Sequence, residues 1–153
     1  VTTTQVLENV ALGIALVCIT VSLQIALTSL VLRLFRRMVL LVAPRSGSSI
    51  RVLAVALLVI TIVFGHLAQI NLWALAFYLL AFFGDFWSAQ YFAGETYTTL
   101  GYGDLLLPPE HRMLAGWLAI TGLLMIGWST AVFAYLVTKY HEAHLAALER
   151  QGG

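Results

Sequence analysis

The chain has 153 residues, 61% of them hydrophobic and only 10% charged, with a mean hydropathy of +0.93. Soluble domains carry about a quarter charged residues, so these values exclude an ordinary water-soluble globule and identify an integral membrane protein whose length allows one compact unit. A net charge of +1 offers no basic surface for nucleic acid, and a single cysteine, Cys18, excludes an intrachain disulfide framework and a multi-cysteine metal site.

The few charges punctuate the chain. Asn9 to Leu32 is 24 residues without one, about 36 Å as a helix and enough to cross a hydrocarbon core of roughly 30 Å. It lacks the basic leader and small-residue cleavage pattern of a signal peptide, so a true span is expected. Cys18 inside it reads as a small buried thiol. The connection that follows holds Arg33, Arg36, Arg37, Arg45 and Arg51 and no acid. Short loops rich in Lys and Arg stay in the cytoplasm, which predicts the N-terminus, near Glu8, outside and the C-terminus inside. Those arginines are topology anchors, since they do not recur at every third position within a span. Pro44-Arg45-Ser46-Gly47-Ser48-Ser49 reads as a loop.

Val52 to Phe83 is a second uncharged stretch, 32 residues long and more than one crossing needs. Its end, with Trp73, Phe77, Tyr78, Phe82, Phe83, Phe86 and Trp87, suits an interfacial aromatic belt. Phe77 to Phe83 is either an outward extension of the helix or an interfacial turn. His66, Gln69 and Asn71 are polar within this stretch, where interhelical hydrogen bonding is the expected role. A third stretch, Met113 to Thr138, spans 26 residues between Arg112 and Lys139. Backbone groups in hydrocarbon must be satisfied internally, so all three stretches should be helical. Fifteen residues follow Thr138, and no soluble regulatory domain is expected among them. His141 and His144, beside Glu142, read as an exposed helix end in preference to a metal or pH site.

The segment between the second and third stretches is unlike the rest. Phe86 to Thr98 suits a short helix of about 20 Å, which cannot cross a membrane and is tolerated there only when protein or a water-filled cavity surrounds it. After it comes Thr98-Thr99-Leu100-Gly101-Tyr102-Gly103-Asp104. A pore that strips water from a monovalent cation must offer substitute oxygens, and backbone carbonyls aimed at one axis can supply them. Aiming consecutive carbonyls the same way needs alternating backbone conformations, some of them forbidden to residues with a Cβ, and Gly101 and Gly103 permit those. The Thr99 hydroxyl adds an oxygen ring at the inner end. The half-helix also turns its partly negative C-terminus toward the cavity.

Thr98 to Asp104 closely resembles the signature filter of potassium channels, and the order span, half-helix, filter, span resembles the pore module of bacterial two-helix potassium channels. The likeness covers roughly Arg51 to Tyr140. It implies an all-α membrane protein with three transmembrane helices, a re-entrant pore helix and a selectivity filter, assembling as a tetrameric pore. Residues 1–50 are then an additional N-terminal transmembrane helix with a basic cytoplasmic loop, 51–140 the pore module and 141–153 a short cytoplasmic tail. Leu100 stands where the commonest filter has Val. Its carbonyl would face the ion, so selectivity should survive, with looser packing behind the filter.

The resemblance also assigns roles. K⁺ would be held by the backbone carbonyls of Thr99, Leu100, Gly101 and Tyr102, with Gly103 completing the strand. Glu95 would sit behind the filter and share a proton with Asp104, because two adjacent carboxylates do not both ionise cheaply; the alternative is a solvent-exposed acid. Tyr91, one turn before Glu95, would donate to Asp104 or simply pack, and Thr98 completes the filter support. Gly122 and Gly127 match hinge positions of the inner helix, with close helix packing as the alternative. Ile126, Thr130, Ala134 and Thr138, recurring every four residues, would line the cavity and inner entrance.

One chain supplies one filter strand and a ring needs four, so a homotetramer passing K⁺ passively across the cell membrane is expected. No enzymatic activity and no cofactor are expected, only K⁺ in the filter, with membrane lipid as the surroundings. A weakly selective monovalent cation channel is the nearest alternative. A membrane haem or redox protein using His66 and His111, or the tail histidines His141 and His144, is a distant one, since those histidines lie at different predicted depths.

Overall fold

The computed structural model describes residues 2–42 and 48–152, and every regular element among them is helical. Four α-helices follow in order: α1 (Thr3–Val42), α2 (Ser48–Leu79), α3 (Phe86–Tyr97) and α4 (Met113–Gly152), with a 3-10 turn at Pro109–His111 before the last. Three of them, over Thr3–Arg37, Val55–Leu79 and Met113–Lys139, are long and apolar enough to cross a membrane. No more than 28% of any of these apolar windows is buried within the protein. Such exposure of Ile, Leu and Val is tolerable when the surroundings are lipid or further protein.

α1 and α4 are longer than the uncharged stretches that announce them, whereas α2 has the same 32 residues set four positions earlier and ends at Leu79. α1 continues past Leu32 and carries Arg33, Arg36 and Arg37 on its own surface, and α2 already includes Ser48 and Ser49. The loop expected from Pro44 to Ser49 is thus shortened at its end, and Pro44-Arg45-Ser46-Gly47 lies outside the described residues. α4 likewise runs on through the expected tail; His141 is exposed, and the His144 side chain lies outside the described residues.

In place of one compact unit there are two: residues 1–24 with 66–126, and residues 25–65 with 127–153. The long helices α1, α2 and α4 each contribute a part to both. The first unit has a core of Leu16, Ile70, Trp73, Phe77, Phe92 and Leu118, among others, gathered around α3. Trp73 and Phe77, expected at an interfacial belt, are fully buried in it, whereas Trp87 is 74% exposed. The rings of Trp73 and Phe92 each meet Phe77 edge-on at 5.8 Å, a favourable geometry for aromatic quadrupoles. α1 joins this core closely: a Cβ on Gly13 would come within 2.9 Å of the Trp117 ring of α4. Cys18 faces outward on α1 and is exposed, which corrects the expectation of a buried thiol.

The second unit is held mainly by apolar contact. Gly65 of α2 lets the Leu27 side chain of α1 approach to 2.9 Å of where a Cβ would stand, and Val31 and Leu136 are buried. Thr61 returns its hydroxyl to the Leu57 carbonyl at 2.8 Å, so no polar group is left to face lipid there.

Candidate functional site

α3 is positioned by caps at both ends. Asp85 is its N-cap and accepts from the Ser88 amide at 2.9 Å and from the Ser88 hydroxyl at 2.7 Å, satisfying one of the free donors of a helix start. The Ser88 hydroxyl, then the Ser88 amide, hold the Asp85 carboxyl below its ordinary value. The helix is one residue shorter than predicted, ending at Tyr97 with Thr98 as C-cap.

The exit from α3 is a Schellman turn. The Thr99 amide donates to the Thr96 carbonyl at 3.0 Å and the Leu100 amide to the Glu95 carbonyl at 2.8 Å, the paired pattern that closes a helix when the next residue is left-handed. That residue is Thr99, at φ 59°. Gly101 follows at φ 58° and Gly103 at φ 77°, while Leu100 and Tyr102 between them stay out of the left-handed region. The alternation expected from the two glycines therefore starts one step earlier, on a residue with a Cβ. Sequence offers no signal for this, because threonine rarely adopts that conformation unless a helix end imposes it.

Residues 98–104 are all exposed, Leu100 at 56% and Tyr102 at 69%. Among the described residues, none covers this segment. Beside it lies a cleft of about 410 Å³, bordered by Phe92, Glu95, Thr99, Gly101, Gly103 and Gly116.

Behind the segment, Tyr91 donates its hydroxyl to Asp104 Oδ2 at 3.0 Å, and the Leu105 amide donates to Oδ1 at 3.1 Å. Hydrogen bonding to Asp104 pushes the Tyr91 phenol up, so it remains the donor. Glu95 is buried, 5% exposed, and Oε2 has no hydrogen-bond partner. Burial first, and the Asp104 charge second, raise the Glu95 carboxyl above its ordinary value. The backbone amide of Tyr102 works the other way, and the balance lies toward the protonated form.

α4 meets this assembly at Gly122. A Cβ built there would overlap the Tyr97 carbonyl oxygen, so Gly122 serves a close backbone approach. Gly127 has open space around its Cβ position. Ile126, Thr130, Ala134 and Thr138 are all exposed along α4, and the Thr138 hydroxyl returns to the Ala134 carbonyl at 3.0 Å.

His66, Gln69 and Asn71 of α2 are all engaged: Tyr97 bonds both His66, at 2.8 Å, and Gln69, at 2.5 Å, and Gln90 donates to Asn71 at 3.1 Å. Tyr97, and Gln24, which accepts from Gln69 Nε2 at 2.6 Å, were not legible as site residues. For Gln24 a signal exists, since an amide in an apolar span needs a partner.

Residues 56–139, more than half of the chain, match the family model described as "Ion channel". No curated protein matches the chain, and no solved structure does.

Proposed function

The chain belongs to the two-helix ion channel family, of the potassium-channel pore type, and from that premise we propose that it is a K⁺-selective channel acting as a homotetramer. The observation that carries this reading is the alternation of left-handed residues at Thr99, Gly101 and Gly103 in an exposed segment leaving a capped half-helix. In such a chain successive carbonyls can face one side, and four copies around an axis would make rings of oxygens that replace the water shell of K⁺. The carbonyls of Thr99, Leu100, Gly101 and Tyr102 are the assigned ligands.

A lone protomer leaves this segment uncovered, and that supports assembly. Tyr91 and Glu95 brace it through Asp104 and from behind, with Thr98 at its base. Ile126, Thr130, Ala134 and Thr138 line the route below, where threonine hydroxyls suit a hydrated cation without fixing it by charge. Gly122 is taken up by packing, so bending for a gate falls to Gly127, whose Cβ position is open. The arginines at the end of α1 support an outside N-terminus and a cytoplasmic C-terminus in the cell membrane.

The test is purified protein in liposomes, with K⁺ and Na⁺ flux measured in parallel and repeated for Gly103→Ala, beside the particle mass in detergent. Selective K⁺ flux, its loss in the variant and a fourfold protomer mass are expected. Equal flux of the two ions identifies a weakly selective cation channel and overturns the selectivity. A variant that conducts like the wild type overturns the filter assignment.

A further inference from the structure

Four side chains from three helices form one continuous hydrogen-bonded chain beneath the filter segment. Tyr97 Oη donates to Gln69 Oε1 at 2.5 Å, and Gln69 Nε2 donates to Gln24 Oε1 at 2.6 Å. The phenol has one proton and has given it to Gln69, so His66 Nδ1, 2.8 Å away, is the donor to Tyr97 Oη. With these amide orientations the bonds run from His66 through Tyr97 to Gln69 and from Gln69 to Gln24. Gln24 and Gln69 are buried and Tyr97 is 1% exposed.

The position of Tyr97 gives this chain its meaning. It is the last residue of α3, two before Thr99. Its carbonyl is held against Gly122 of α4 and its hydroxyl by α2, so both ends of the residue are fixed. Through Gln69 the fixing extends to α1, which lies outside the matched family region. Apolar side chains would hold three helices together with a broad tolerance of rotation and slide. An amide pair in a low-dielectric interior does not, because a lost bond leaves an unsatisfied buried group.

We propose that α1 is a positioning element of the conduction site, with Gln24 acting through Gln69 on Tyr97 to fix where the filter strand leaves α3. This rests on the channel reading above. A built-in control exists on the same two helices. Trp73 Nε1 of α2 donates to Thr20 Oγ1 of α1 at 3.0 Å, and the Thr20 hydroxyl returns to the Leu16 carbonyl at 2.8 Å. That bond joins α1 to α2 equally well and goes no further.

The experiment places the full-length wild type, Gln24→Leu, Gln69→Leu, Tyr97→Phe and Thr20→Val in liposomes and measures K⁺ and Na⁺ flux. Each break in the chain should lower the K⁺/Na⁺ flux ratio by about threefold to tenfold, the scale of one hydrogen bond. Gln24→Leu combined with Tyr97→Phe should lower it no further than the larger single effect. Thr20→Val should lower the thermal midpoint in detergent as Gln24→Leu does and leave the ratio at the wild-type value. A ratio that falls as far in Thr20→Val as in Gln24→Leu overturns the proposal. So does a wild-type ratio in Tyr97→Phe, which removes one oxygen, keeps the ring and carries the test where a leucine variant does not fold. A wild type without discrimination overturns the channel reading itself, whereas a selective wild type with an unaltered Tyr97→Phe overturns the positioning role alone.

Discussion

α2 and α3 end in the same way and lead to opposite results. At each exit an amide donates to the carbonyl five positions back, Phe82 to Phe77 at 3.0 Å and Leu100 to Glu95 at 2.8 Å. At each, the left-handed residue is not glycine: Ala81 has φ 56° and Thr99 φ 59°. After Ala81 the motif closes on itself, since the Phe82 ring packs on Phe77 at 6.0 Å and stacks on His111 at 4.3 Å. After Thr99 it stays open. Leu100 is exposed, and the residue opposite it in the motif is the buried carboxyl of Glu95. One local backbone solution thus serves either to end a helix with a ring folded back against a core or to launch an exposed segment. What differs is whether an apolar side chain is there to shut the turn.

The strongest way to break the α3 exit is from α4. Gly122→Ala puts a methyl group onto the Tyr97 carbonyl, and a backbone cannot yield as a side chain can; a loss of about 3 kcal/mol should appear as a collapse of the thermal midpoint and of ion flux together. Phe82→Ala attacks the α2 exit instead. Removing this half-buried ring should cost about 2 kcal/mol in thermal unfolding, with the K⁺/Na⁺ ratio of the folded fraction unchanged. Glycine at the left-handed position sharpens the contrast. Ala81→Gly should stabilise by about 1 kcal/mol, because the closed turn needs only its backbone. Thr99→Gly should relieve similar strain yet lower K⁺/Na⁺ discrimination in liposomes, because the open exit depends on stiffness.

The smallest effect is the pH response at Glu95. Its carboxyl is raised by burial and by Asp104, so its contribution is fully present below the ordinary carboxylate range and fades as pH rises through the raised value. Thermal midpoints across that range should decline more in the wild type than in Glu95→Gln.

The sequence carried the three spans and the half-helix well, for plain reasons. Uncharged length measures a crossing, and a segment too short to cross but flanked by Asp85 and a glycine pair has few other places to be. The two glycines likewise announced left-handed backbone at 101 and 103. Ala81 and Thr99 did not, because their conformation is imposed by the helix ends before them. The aromatic run from Trp73 to Trp87 suggested a belt, and its first members proved to be core, since a ring suits both settings equally. Gln24 and Gln69 stand 45 positions apart, and no local pattern pairs them. Arg33, Arg36 and Arg37 marked where apolar character stops, which is not where the helix stops, because arginine is a good helix former.

Asn9 spends both ends of its amide at one place: it donates to the Glu110 carbonyl at 2.6 Å and accepts from His111 Nδ1 at 2.8 Å. These partners lie 101 and 102 residues further along the chain. During synthesis, therefore, α1 is complete long before the partners of Asn9 exist, and this tie between the start of α1 and the turn before α4 forms only once residues 110 and 111 have been made.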